Sequence, residues 1–138
     1  MSWDFEKDEI LRCISLLHPV DGRFDMVHAA DSTTAIIDYA HTPDALENVL
    51  KTVREIAPER ELICVFGCGG DRDKTKRPEM AKIAEKLADR IIVTSDNSRT
   101  EKTADIMADI KAGFELSGRA KSLFIEDREQ AIRTAIMI

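Results

Sequence analysis

Four clusters in this sequence carry side chains of the type and spacing that hold a small charged molecule. Asp96-Asn97-Ser98-Arg99 gathers an acceptor, an amide and a guanidinium. That set matches a zwitterionic amino acid: Asp96 for the ammonium, Arg99 for the carboxylate, and Asn97 for either. The same residue types form ordinary polar turns, and that reading stands beside the first. The run Gly67-Cys68-Gly69-Gly70-Asp71-Arg72-Asp73-Lys74-Thr75-Lys76-Arg77-Pro78 joins a permissive backbone to dense charge. From Asp71 to Arg77 it holds four cations and two anions, a local +2 in a chain of formal charge −6. Such a reversal suits an anionic ligand, though charge runs are also ordinary solvated surface. The run is neither a Walker A loop nor a G-x-G-x-x-G turn, because Arg72 stands where either needs a glycine.

Two more clusters lie upstream. Asp38-Tyr39-Ala40-His41-Thr42-Pro43-Asp44 places a carboxylate, an aromatic ring and an imidazole in one connection. Tyr39 or His41 there can stack on or bond a nucleotide base or ribose, beside a helix N-terminus that favours anions. Alternatively Asp38 caps a strand, Tyr39 joins the core and His41 only leads into the helix. Gly22-Arg23 sits in a turn, from which an arginine either reaches a phosphate as a bidentate fork or stays solvated. No nucleophile constellation is present. His18, His28 and His41 match no metal-binding spacing. Cys64 and Cys68 lack the second ligand pair that zinc wants, so they are expected to be small buried hydrophobes.

The elements needed to position these clusters alternate along the chain. Ile10, Leu11, Ile14 and Leu17 share a helical face over residues 7–17. Phe24 to His28 and Ala35 to Tyr39 read as strands. Thr42-Pro43 is an N-cap and first-turn pair for a helix that Pro58 stops. Leu62 to Phe66 reads as a strand buried on both faces, and Pro78 as the start of a helix with Met80, Ile83, Ala84 and Leu87 inward. Ile91 to Thr94 is a further buried strand, 103–115 a helix, and Ser122 to Ile125 a strand. Asp127 and Gln130 resemble a capping box for a last helix carrying Ala131, Ile132, Ala135 and Ile136. This order predicts an α/β fold, a Rossmann-like mostly parallel sheet with helices on both faces. Ligands of such sheets bind at the carboxyl ends of strands, where the clusters fall.

Composition narrows the classes. At 138 residues and 43% hydrophobic, the chain can bury a core without a disulfide or metal staple. No apolar run approaches the roughly 20 residues of a membrane span, and the N-terminus has no signal-peptide core. A pI near 5.1 argues against a general nucleic-acid binder. Three cysteines, an odd number, suit a reducing cytoplasm.

The clusters Pro19-Val20-x-Gly22-Arg23-Phe24, Asp38 to Asp44, Gly67 to Pro78 and Asp96-Asn97-x-Arg99 stand in the order found in the Mur ligases. The chain resembles that family from about residue 7 to its end, and the Gly67–Pro78 run is the most specific part. This run resembles the branch that adds the third residue of the peptidoglycan peptide. The resemblance implies an ATP-dependent amide ligase that joins an amino acid, meso-diaminopimelate by the arginine of the fourth cluster, to UDP-MurNAc-L-Ala-D-Glu. It implies ATP binding by Arg23, Asp38, Tyr39 and His41, and amino-acid binding by Arg72, Asp96, Asn97 and Arg99. It divides the chain into a remnant helix of a central ATPase domain (1–18), a hinge (19–23) and an incomplete amino-acid-binding domain (24–138). The P-loop and Mg²⁺ ligands would lie in missing domains of the parent, so the fragment is expected to be inactive alone and to hold no metal. Two departures are Ser98, where the family usually has proline, and Asp21, where proline is common. The competing readings are a self-contained nucleotide-binding Rossmann-type domain and a folylpolyglutamate synthase-like ligase domain. The missing third glycine disfavours the former, and the Gly67–Pro78 run the latter.

Overall fold

A computed structural model of the chain describes residues 6–16, 20–29 and 33–138. The chain divides into two compact units, Met1–Tyr39 and Ala40–Ile138. In the first, helix α1 spans Lys7–Ser15, with Ile10 and Leu11 largely exposed. The readings placed on Leu17, His18 and Pro19 lie outside the described residues. Strands β1 (Asp25–His28) and β2 (Thr34–Ile37) pair antiparallel, Asp25 opposite Ile37 and His28 opposite Thr34. They form their own two-stranded sheet, and β2 ends before Asp38 and Tyr39.

The second unit is built from α2 (Pro43–Ile56), β3 (Ile63–Phe66), α3 (Lys76–Leu87), β4 (Arg90–Val93), α4 (Thr103–Ala112), α5 (Leu116–Ala120), β5 (Ser122–Phe124) and α6 (Arg128–Met137). The strands form a parallel sheet in the order β3-β4-β5, Ile63 beside Arg90 and Ile91 beside Ser122. Central β4 is covered on both faces, and Ile91, Ile92 and Val93 are wholly buried. Successive strand residues point to opposite faces. Cys64, Phe66, Ile91 and Val93 therefore meet Leu46, Leu50, Met80, Ala84, Ile106 and Ile110 from α2, α3 and α4 in one core. Helix α6 packs on β3 and β4, and its Ala131 is buried. The expected architecture, a parallel sheet with helices on both faces, is present.

Several local expectations differ. Edge strand β3 buries Cys64 and Phe66 but leaves Ile63 and Val65 half-covered, because it has a neighbour on one side only. Helix α3 begins at Lys76, ahead of Pro78. Asp73 sets that start: its carboxylate accepts from the Thr75 amide (3.0 Å) and hydroxyl (2.6 Å), closing a local turn. The expected helix over 103–115 stops at Ala112, and the unpredicted five-residue α5 follows. Glu85 of α3 fixes α5 by accepting from Glu115 N, Ser117 Oγ and Gly118 N. On α6, Ile132 and Ile136 are 46% and 59% exposed, so that helix buries a narrower face than its apolar residues suggest. The helix caps are as expected: Thr42 accepts from Ala45 N and Asp127 from Gln130 N. No helix among the described residues is long and apolar enough to cross a membrane.

Candidate functional site

The chain leaves β3 at Phe66 and β4 at Val93 on neighbouring parallel strands, so the two following loops emerge side by side. Glycines let them touch. A Cβ on Gly67 would strike the Thr94 carbonyl, and one on Gly70 would strike the backbone of Ser98. The Gly70 amide donates to Asn97 O at 2.9 Å, and Arg99 Nη1 donates to Gly70 O at 2.6 Å. Asp71 accepts from Thr100 Oγ at 2.6 Å, and its own amide donates to Glu101 Oε1 at 2.7 Å. Asp71 and Arg99 both adopt left-handed backbone, φ 53° and 49°. A non-glycine residue holds that conformation only when its surroundings enforce it.

Within this seam three of the four residues expected to bind an amino acid, Arg72, Asn97 and Arg99, lie around one backbone point. The Cβ position of Gly69 is 4.0 Å from both Arg72 Cγ and Arg99 Nη1, and 3.6 Å from Asn97 O. Asp96 Oδ1 accepts from the Asn97 amide at 2.7 Å, and Asn97 Oδ1 from the Arg99 amide at 3.3 Å. These Asx contacts are the polar-turn reading of the cluster, and they also fix its shape. Asp96, Asn97 and Arg99 remain exposed, as does Arg72, which forms no ion pair among the described residues. The exposed rim thus offers two guanidinium groups, a carboxylate and an amide.

Arg77, not singled out by sequence reasoning, is the buried heart of the loop, 1% exposed. Its Nη1 donates to Glu101 Oε2 (3.0 Å) and Asp109 Oδ2 (2.8 Å). Its Nη2 donates to Glu101 Oε1 (2.8 Å) and Gly69 O (3.3 Å). Nε is the single buried side-chain polar atom among the described residues without a partner. Glu101 also pairs with Lys74 at 2.9 Å. Hydrogen bonds from Arg77, then Lys74 and then the Asp71 amide hold the Glu101 carboxyl down to about 2. This corrects the charge argument: the local +2 counted Arg77 and Lys74, which Glu101 and Asp109 answer from the next loop and α4. The sequence signal was faint, an arginine immediately before Pro78 and a glutamate two residues past Arg99.

Cys64 is buried, and burial pushes its thiol up to about 12. Cys68, half-buried with Sγ 3.8 Å from Met80 Sδ, is pushed up to about 11, chiefly by burial. Both behave as small hydrophobes. No group of three or more His, Cys, Asp or Glu among the described residues is arranged to hold a metal ion.

The upstream clusters are placed more simply. The Arg23 amide donates to Val20 O at 3.0 Å, closing a turn in which Gly22 has φ 71°. Phe24, at φ 49°, donates its amide to Asp38 Oδ2 at 2.8 Å. Asp38 thereby ties the end of β2 to the turn carrying Arg23. Tyr39 is 67% exposed, which overturns its reading as a core residue. His41 is exposed immediately before the Thr42 cap of α2.

Comparison with known proteins gives one consistent result. The family model "Mur ligase, glutamate ligase domain" matches residues 22–138. The UDP-N-acetylmuramoyl-L-alanyl-D-glutamate--2,6-diaminopimelate ligase of Bacteroides fragilis is 48% identical over 134 residues, covering 96% of this chain and 28% of the relative. Its counterpart in Synechococcus elongatus is 57% identical over 120 residues, 86% of this chain and 23% of the relative. The chain therefore spans about a quarter of the length of these curated relatives. A solved structure of a ligase of the same name superposes with TM-score 0.75 at 40% identity, over 95% of this chain and 26% of its own. Folylpolyglutamate synthase of Mycobacterium tuberculosis has the same fold, with TM-score 0.76 at 21% identity over 96% of this chain and 28% of its own.

Proposed function

Because the chain belongs to the Mur ligase family through its glutamate ligase domain, we propose that it supplies the amino-acid-binding part of an ATP-dependent amide ligase. The amino acid is meso-diaminopimelate and the acceptor UDP-MurNAc-L-Ala-D-Glu, in peptidoglycan synthesis. One observation carries this reading: Arg72, Asn97 and Arg99 meet around Gly69 on an exposed rim beyond β3 and β4, and Asp96 joins that rim through the Asn97 amide. Diaminopimelate has a distal carboxylate and ammonium, and the rim offers guanidinium forks and a carboxylate for such groups. L-Lysine lacks that second carboxylate and would leave a cation unpaired, a loss that sites of this kind turn into strong discrimination.

The chemistry follows from the bond to be made. A carboxylate is a poor acyl donor, so ATP phosphorylates it. The amine then attacks the acyl phosphate carbon, loses a proton and expels phosphate. This domain's residues hold the amine in line and neutralise the groups beside it. Arg23, Asp38, Tyr39 and His41 serve the ATP side. Asp38 acts there through the Phe24 amide, fixing the turn from which Arg23 reaches a phosphate. The exposed Tyr39 ring offers a face to stack on. No residue of this chain is assigned to Mg²⁺, whose ligands are placed in other domains of the whole protein.

The test is ligation by the whole protein with meso-diaminopimelate or L-lysine as sole amine. Wild type is expected to use meso-diaminopimelate, and Arg99→Ala to lower kcat/KM for it about 10- to 100-fold, the worth of a charge-assisted hydrogen bond. Equal or better turnover with L-lysine would refute the assigned substrate.

A further inference from the structure

We propose that Arg77 and Glu101 form a positioning clamp that presets the two binding loops before the amino acid arrives. The clamp deepens the proposed function and rests on it for the identity of the substrate. Glu101 has no place in the exposed rim. It instead joins four groups: two Arg77 nitrogens, Lys74 Nζ and the Asp71 amide. Arg77 in turn holds Gly69 O, the backbone around which the rim residues gather, and reaches Asp109 on α4. The first loop is thus tied to the second, and both to a helix, by one buried cation and one carboxylate. Burying an arginine is costly, and removing its partner leaves that cost uncompensated. The arrangement is therefore all-or-none: with Glu101 ionised, Gly69 and Asp71 are fixed together, and Arg99 is bonded to Gly70 between them. Asp71 and Arg99, the left-handed residues, lie on either side of the seam. Released from it, their backbones would relax to commoner conformations and move Arg72 and Arg99 apart. Neither Arg77 nor Glu101 touches the substrate. They act through the loops, by lowering the ordering cost that binding would otherwise carry.

The experiment compares Glu101→Gln with Thr100→Val, which removes only the Thr100–Asp71 hydroxyl bond, and with Glu85→Gln. Glu85 is also an ionised acceptor of backbone amides, but it serves α5 and not the seam. Two readouts are taken on the whole protein: ligation kinetics, and amide hydrogen exchange at Asp71 and Thr100 without substrates. Glu101→Gln is expected to raise KM for meso-diaminopimelate about 10-fold or more while kcat and KM for ATP stay within about twofold. Asp71 exchange should accelerate by a similar factor. Thr100→Val should move both readouts in the same direction by about threefold. If Glu101→Gln does not fold, Asp109→Asn, which weakens the hold on Arg77 and leaves Glu101 in place, should raise KM for meso-diaminopimelate and Asp71 exchange together, or the clamp fails. Glu85→Gln should leave KM for meso-diaminopimelate unchanged. The clamp is overturned if exchange at Asp71 is unaltered, if kcat falls in step with KM, or if Glu85→Gln shifts KM equally. Should wild type ligate no amino acid at all, the functional reading fails, and the exchange data alone still decide whether Glu101 fastens the loops.

Discussion

Glu101 shows how much one side chain can decide. Its carboxyl is held at about 2, chiefly by Arg77. The usual carboxylate value is about 4.3, so folding favours the ionised form. That stabilisation is complete above the unfolded value and disappears as pH falls through the folded one. Wild type should melt well above Glu101→Gln at pH 6, and the gap should close between about pH 4.5 and 2. A gap that persists unchanged at pH 2 would show that Glu101 contributes by packing instead of charge. At this scale the sequence was partly readable. The closeness of Arg72, Asn97 and Arg99 was foreseeable because short motifs place them just past neighbouring parallel strands. Arg77 and Glu101 were not, because their importance depends on a pairing between loops that no local spacing encodes. For Tyr39 the core alternative fails because the strand ends before it and the ring is exposed.

Elements were legible where termini carry their own chemistry. Thr42 and Asp127 announce α2 and α6 because a capping oxygen needs only its next three residues. The existence of α5 was hidden because it depends on Glu85, a contact beyond the helix itself, and the start of α3 because Pro78 masks the local Asp73–Thr75 turn ahead of it. Gly113, which ends α4, illustrates the same limit. Its φ of −79° suits alanine, and by conformational entropy alone Gly113→Ala should stabilise the domain by about 0.4–1 kcal/mol. In the fold a Cβ there would collide with the backbone of Pro78 in α3. The expected result is destabilisation of about 1–3 kcal/mol in urea unfolding. A stabilised variant would mean that α3 and α4 separate easily.

At the scale of the whole second unit, the fold class was plain because strands and helices alternate so regularly. What alternation could not say is how unequal the two faces of the sheet are. One face meets three helices, α2, α3 and α4, and the other is covered mainly by α6. Ile92, wholly buried, points to the α6 side, where Ala131 leaves little to spare. Ile92→Ala should cost about 2–5 kcal/mol by denaturant unfolding, as for any fully buried isoleucine. A cost under about 1 kcal/mol would show that α6 closes over the gap, which its exposed Ile132 and Ile136 give it no packing reason to do.

The register of the parallel sheet has a temporal consequence. Ile63 waits for Arg90 across one helix, and Ile91 waits for Ser122 across two. No hairpin can start this sheet, so its ladders close only after long segments have been drawn together. During synthesis β4 emerges with one neighbour made and the other still unwritten. For that interval Ile91, Ile92 and Val93, wholly buried in the finished fold, are an apolar strand open to wrong pairing.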